Sequence, residues 1–288
     1  MRWSVVGSAA AVAAIICHAQ VVFAQGNGRG NAFGHYKSTV SAASNPSAAA
    51  GGSIAGTGVR NFGSWLDDAS IMDVGSGFVG FGFGLFKTPV YREVDLPTID
   101  SGIAVHRRVQ LGMSVPYYRA TVPGNAVVHG FGDVYLSAKI QLREATASRA
   151  GFGLIPMIEV LGVQPLDGSS RVTWALPASI ELQREGWRVY GTAGYFSRGA
   201  MFASGALELE VSRRTWLNGA ISQSYSVHHD DLSAALGLHK ARTDVSGGVT
   251  FALRPDVGVY GSLGRTISAR DDNSATMMFN TGVTLGFR

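Results

Sequence analysis

The stretch FGDVYLSAKIQLR, residues 131–143, decides the fold. Val134, Leu136, Ala138, Ile140 and Leu142 are apolar. Asp133, Tyr135, Ser137, Lys139, Gln141 and Arg143 between them are polar or amphipathic. A period of two sustained this far is the pattern of a strand with one apolar face and one wet face. Soluble strands have a mode of about 5–6 residues, whereas a tilted strand crossing a bilayer needs about 9–11. The stretch therefore reads as one stave of a membrane barrel, and a soluble β-sandwich is the competing fold.

The same alternation recurs on both sides. Val79, Phe81, Phe83 and Leu85 alternate with Gly80, Gly82 and Gly84, which suits large side chains toward lipid and small ones toward a crowded lumen. Val109, Leu111, Met113 and Val115 alternate with Gln110, Gly112 and Ser114. Trp174, Leu176, Ala178, Ile180 and Leu182 alternate with Thr173, Ser179, Glu181 and Gln183. Met277, Phe279, Thr281, Val283, Leu285 and Phe287 share one face of a last strand, which outer-membrane insertion machinery would recognise by its terminal aromatic.

Four short charged turns separate these runs, at residues 106–108, 184–186, 213–215 and 254–256, and most other joins are longer. Short periplasmic turns and longer extracellular loops distinguish bacterial outer-membrane barrels. With that parity the spacing predicts strands near 75–87, 100–106, 108–119, 131–143, 151–163, 172–184, 187–198, 201–212, 215–226, 243–253, 256–268 and 275–287. The expected fold is an all-β, transmembrane, antiparallel up-and-down barrel of about twelve strands, an even number. The count closes only if LSAALGLH, residues 232–239, belongs to a long loop. Trp174, Trp187, Trp216, Tyr117, Tyr118, Tyr190, Tyr195 and Tyr225 fall near the strand ends, where interfacial girdles place aromatics.

Composition agrees. Glycine is abundant, at 38 of 288 residues, and charged residues are few, at 15%, which suits strands and turns more than helices. The net charge of +4 is mild and its basic residues are dispersed, so nucleic acid is not an expected partner. Residues 1–24 read as a cleaved signal peptide: Arg2, then an apolar core from Val5 to Ile16, then Val22-Phe23-Ala24 at the cleavage site. The sole cysteine, Cys17, lies within it, and bulky Ile16 before it argues against a lipid anchor. Residues 25–70, rich in Gly, Ala, Ser and Asn, read as a flexible leader without specific chemistry, with a plug or tether as the sharper alternative. Residues 71–288 are the expected barrel, in the bacterial outer membrane.

Catalytic chemistry finds no positive support. No histidine sits mid-strand beside a serine on the same face, and there is no G-x-S-x-G elbow. His228-His229-Asp230-Asp231 reads as a solvated loop tip, since neighbouring residues on a strand diverge. Asp271-Asp272-Asn273 reads as a turn, lacking the distal glutamate of a calcium loop. No metal or cofactor is expected. The polar registers are more informative. With apolar faces toward lipid, Tyr135, Lys139, Glu159, Glu181, Arg188, Tyr190, Glu208 and Tyr260 point into the lumen. There they either line a conduit for a small solute or pair with one another in a closed barrel.

Gly132-Asp133-Val134-Tyr135-Leu136-Ser137-Ala138-Lys139 with Leu142-Arg143-Glu144 resembles a strand of the outer-membrane family associated with the meta-pathway of phenol degradation. The run from Leu111 to Pro116-Tyr117, the Gly186-Trp187-Arg188 turn and Gly194-Tyr195 are similar to other segments of that family. The resemblance spans most of residues 70–288. It implies an outer-membrane barrel passing aromatic or other hydrophobic small molecules, with membrane lipid, the insertion machinery and a small solute as partners and with no catalytic set. The long His/Asp loop and the terminal Arg288 depart from the family pattern. A structural or partner-binding barrel is the alternative, and a lipid-modifying enzyme a more distant one.

Overall fold

The computed structural model describes residues 66–89, 91–121, 127–162, 170–197, 199–227, 239–268, 271–272 and 274–287. The chain rises as β1 (Gly77–Lys87), returns as β2 (Arg92–His106) and rises again as β3 (Val109–Thr121). The next stave is built from β4 (Val127–Phe131) and β5 (Val134–Arg143), and the one after from β6 (Gly151–Leu154) and β7 (Met157–Val160). Then follow β8 (Val172–Arg184), β9 (Trp187–Phe196), β10 (Ala200–Ser212) and β11 (Thr215–Ser226). The set ends with β12 (Ala241–Arg254), β13 (Val257–Ser268) and β14 (Met277–Phe287). β14 pairs with β1 without a slip, from Gly77↔Phe287 to Lys87↔Met277, so the antiparallel sheet closes on itself. Closure leaves no sheet edge to be satisfied in lipid. The fourteen segments make twelve staves, the number expected from the spacing.

The faces follow the alternation. Along β8, Trp174, Leu176, Ala178, Ile180 and Leu182 are exposed, while Ala175, Pro177, Ser179 and Glu181 are buried. Along β5, Tyr135 and Lys139 are buried and Leu136 and Leu142 exposed. Lys139 is 3% exposed, so its register is the inward one. Turns of two residues, Arg107-Arg108, Glu185-Gly186, Arg213-Arg214 and Pro255-Asp256, lie at the end where β1 begins and β14 ends. At Gly186 the backbone takes φ 74°, which glycine reaches without a Cβ penalty. This is the periplasmic end by turn length.

Several expectations are corrected in detail. β2 begins at Arg92, not near residue 100. Glu93 is buried and Leu96 and Pro97 are both exposed, and the register slips between Asp95 and Thr98, so inward parity passes from Glu93 to Thr98, Asp100 and Gly102 and the simple alternation breaks there. The stave at residues 131–143 starts earlier, at Val127, and breaks at Gly132-Asp133. There Asp133 turns inward, fully buried, and accepts a hydrogen bond from Gly162 N at 3.0 Å. The stave expected over 151–163 ends at Val160 and is interrupted at Ile155-Pro156, because Pro156 has no N–H for the ladder. Its carbonyl still accepts from Ala138 N at 3.0 Å. The girdle reading fails for Tyr118, Tyr190 and Trp216, all buried on inward parity; Trp216 is flanked by outward Leu217. Residues 1–65, the His228-His229-Asp230-Asp231 cluster and residues 232–238 lie outside the described residues.

Candidate functional site

The interior has two layers. In the periplasmic half, residues 66–72 lie across the lumen. The expected leader runs to residue 70, but its last five residues have a definite place and chemistry: Leu66, Asp67, Asp68, Ala69 and Ser70 are all buried inside the barrel. The segment enters beside β2, where Gly75 N donates to Ala104 O at 2.8 Å. Met72 N then donates to Gln110 Oε1 at 3.2 Å, and Gln141 Nε2 donates to Ala69 O at 3.3 Å. Thr192 Oγ1 clamps the far end, accepting from Asp67 N at 2.9 Å and donating to Asp67 O at 2.7 Å. Leu66 packs with Tyr190 and Ala206. An irregular backbone is tolerable at membrane depth because protein groups satisfy its amides.

Charge holds the segment in place. Lys139 Nζ reaches Asp67 Oδ1 at 2.7 Å, Asp68 Oδ1 at 2.9 Å and Ser70 O at 3.0 Å, using its three protons. Arg188 Nη1 contacts Asp68 Oδ2 at 2.9 Å. Its Nε and Nη2 grip Glu208 at 2.7 and 3.2 Å, a bidentate pair. The guanidinium lies 4.8 Å over the Tyr190 ring. Glu181 accepts from Ser70 Oγ at 2.7 Å and lies 3.7 Å from Arg188. Among the described residues, Asp67, Asp68, Glu181 and Glu208 surround the two cations Lys139 and Arg188. Burial pushes Asp67 up to about 6, against the pull of Lys139 and with the push of Asp68.

This shift has a sign for docking. A carboxyl whose pKa is higher docked than in water favours docking fully below the free value, and that contribution is lost as pH rises through the docked value. Docking of residues 66–72 is therefore expected to be about tenfold weaker at pH 7 than at pH 5. Amide exchange of Ala69, Ser70 and Met72, corrected for intrinsic rates, reads this. Equal protection at the two pH values would refute the assignment to Asp67.

All eight candidate lumen residues are buried. Lys139, Glu181, Arg188, Glu208 and Tyr190 gather around residues 66–72, and Tyr135 and Glu159 lie farther up the same face. Tyr135 Oη donates to Glu159 Oε1 at 2.7 Å, and Thr173 Oγ1 to Glu159 Oε2 at 2.6 Å. Tyr260 stands apart on β13. The partners Asp67 and Asp68 escaped the sequence reading, although an Asp-Asp pair bounded by Leu66 and by Ile71-Met72 brings charge and bulk together at the end of the small-residue leader.

The extracellular half is different, and the sequence reading missed its character. Phe86, Tyr91, Tyr118, Tyr135, Met157, Phe196, Phe202 and Met278 belong to one buried apolar cluster on the inner wall. Phe196 and Phe202 meet as tilted rings with centroids 5.5 Å apart, and Phe86 and Tyr91 likewise at 5.8 Å. The signal was present as doublets near extracellular strand ends: Leu85-Phe86, Tyr117-Tyr118, Tyr195-Phe196, Met201-Phe202 and Met277-Met278. In each doublet one side chain meets lipid, so the other must face inward. An apolar vestibule above a charged layer can partition a hydrophobic solute and then present it to polar groups.

An outer-membrane channel of Pseudomonas putida F1 has a similar structure, with a TM-score of 0.59 at 13% identity over 76% of this chain and 98% of that one. The NanC porin is similar with a TM-score of 0.53 at 8% identity, over 72% of this chain and 98% of its own. No protein-family model matches the chain, and no curated protein matches its sequence. Architecture and likeness together define the class: an outer-membrane β-barrel with a channel- and porin-like fold.

Proposed function

We propose that the protein is a channel through the bacterial outer membrane for small solutes, apolar or aromatic ones in particular. The observation that carries this reading is the aromatic and apolar lining of the extracellular half of the lumen. Lipid contact explains apolar side chains outside, but nothing in the fold requires them inside at this density. The resemblance of residues 132–144 to the phenol meta-pathway family points to the same solute class. Export by a cleaved peptide over residues 1–24 and insertion through β14 belong to the same proposal.

The mutual satisfaction of Lys139, Arg188, Asp67, Asp68 and Glu208 favours a second reading, a closed barrel with a structural role. Liposomes carrying the purified protein separate the two. A channel is expected to admit phenol several-fold faster than protein-free liposomes do, with a smaller gain for glucose. Identical phenol and glucose rates with and without protein would leave only the structural reading.

A further inference from the structure

Outside the barrel, at the extracellular rim, lies a feature that solute passage does not use. Lys87 ends β1, Arg92 begins β2, and the two are direct cross-strand partners. Arg119 on β3 pairs with Val94, one outward step below Arg92, and Thr121 pairs with Arg92 itself. Lys87, Arg92 and Arg119 are all exposed on the outward parity. Together with Pro89, Val94 and Thr121, and with the buried Thr88 and Tyr91 at its base, they line a cavity of about 490 Å³.

Like charges directly opposite on a sheet repel. No described carboxylate forms an ion pair with any of these three cations. Glu93, adjacent in sequence, is 1% exposed and points inward. Three clustered cations on adjacent strands therefore call for an anion from outside the protein. Beneath them the wall turns apolar and aromatic. Leu85 and Val94 are paired, and Tyr117 meets Phe131 edge-on at 5.5 Å while its hydroxyl contacts His129 Nδ1 at 2.9 Å. In the register Leu85 and Val94 lie level with Arg119, and Tyr117 and Phe131 lie one outward step farther from the rim, so the cations give way to apolar and amphipathic aromatic side chains.

That order fits a lipid whose phosphate lies at the rim and whose acyl chains run down the wall. We propose that this groove binds the phosphorylated glycolipid of the outer leaflet, with Arg92 and Arg119 as forks for phosphate oxygens and Lys87 as a point charge. The apolar wall argues against a free anion, and the extracellular position argues against an inner-leaflet phospholipid. The proposal rests on the membrane orientation of the barrel and not on solute passage.

Lipopolysaccharide mixed with the full-length protein in neutral detergent, followed by native mass spectrometry, is the test. The triple variant Lys87→Gln, Arg92→Gln, Arg119→Gln is expected to bind lipopolysaccharide about a hundredfold less tightly. The charge-keeping variant Lys87→Arg, Arg92→Lys, Arg119→Lys should bind several-fold less tightly than wild type but clearly better than the glutamine triple variant, since an ammonium keeps the charge and loses the fork. Arg213→Gln with Arg214→Gln, at the opposite rim, should change nothing. Should the triple variant fail to fold, the single variant Arg92→Gln still reads the site, with a smaller loss expected. Undiminished lipopolysaccharide binding in these rim variants would overturn the site. Equal retention of phosphatidylglycerol by the wild-type protein would overturn the choice of glycolipid. Neither failure touches phenol uptake, which reads the lumen.

Discussion

Lys139→Met is expected to release residues 66–72 from the lumen and to raise single-channel conductance. Among the described residues, Lys139 is the sole cation that touches both Asp67 and Asp68, and it is 3% exposed. Removing one partner of a buried ion pair costs about 3–5 kcal/mol, because the other charge stays buried without compensation. Each 1.4 kcal/mol is about tenfold, so docking should weaken by a factor of about a hundred or more. The barrel itself should persist, since the ladder from β14 to β1 closes without help from residues 66–72. Planar-bilayer recordings should then show larger unitary currents, and amide exchange of Ala69 and Met72 should accelerate while that of β8 and β9 does not. Adding Asp67→Asn and Asp68→Asn to Lys139→Met should partly restore both properties by removing the stranded charges. Currents and exchange identical to wild type would mean that charge does not hold the segment.

The outward face was readable in detail from sequence, and the interior only in part. Lipid imposes a single demand at every outward position, so Leu136, Leu142, Ile180 and Leu182 announce their parity through strict alternation. The number of staves followed from that parity and from turns such as Arg107-Arg108 and Glu185-Gly186. The inner face answers to no uniform solvent. Lys139 and Phe202 both point inward, one to meet carboxylates and the other to meet Phe196. Alternation assigns them a face but gives no neighbour. The contacts that matter most span 72 residues between Asp67 and Lys139 and 120 between Asp68 and Arg188. Local pattern carries no trace of such distances, so residues 66–70 looked like the end of a linker. At β2 the failure was local: the register slips between Asp95 and Thr98, so the outward parity of Val94 and Leu96 differs from that of Ile99 and Ile103, and Glu93, Asp95 and Pro97 hide the strand further.

Phe202→Glu is expected to suppress uptake of neutral aromatic solutes while sparing small polar ones. Phe202 is buried on the inner wall against Phe196, within the apolar cluster of the extracellular half. A neutral aromatic entering this half gains by leaving water at about 25 cal/mol per Å² of apolar surface removed. Replacing the phenyl ring by a carboxylate removes part of that surface and introduces a hydrated charge that the solute must displace. Losing about 1.5–3 kcal/mol of solute affinity, the value of one fully buried phenyl group, lowers occupancy by about ten- to a hundredfold. Liposome uptake of phenol at low concentration should fall accordingly, and glucose uptake should stay within about twofold. Phe202→Leu keeps the surface apolar and should leave phenol uptake nearly intact, which separates polarity from size. The same substitution placed outward, Met201→Glu, meets lipid instead of the lumen and should impair insertion of the barrel without changing selectivity in the molecules that do insert. If Phe202→Glu passes phenol as fast as wild type, the vestibule is a packing feature of the wall, and solute choice must be made in the charged layer around Lys139 and Arg188.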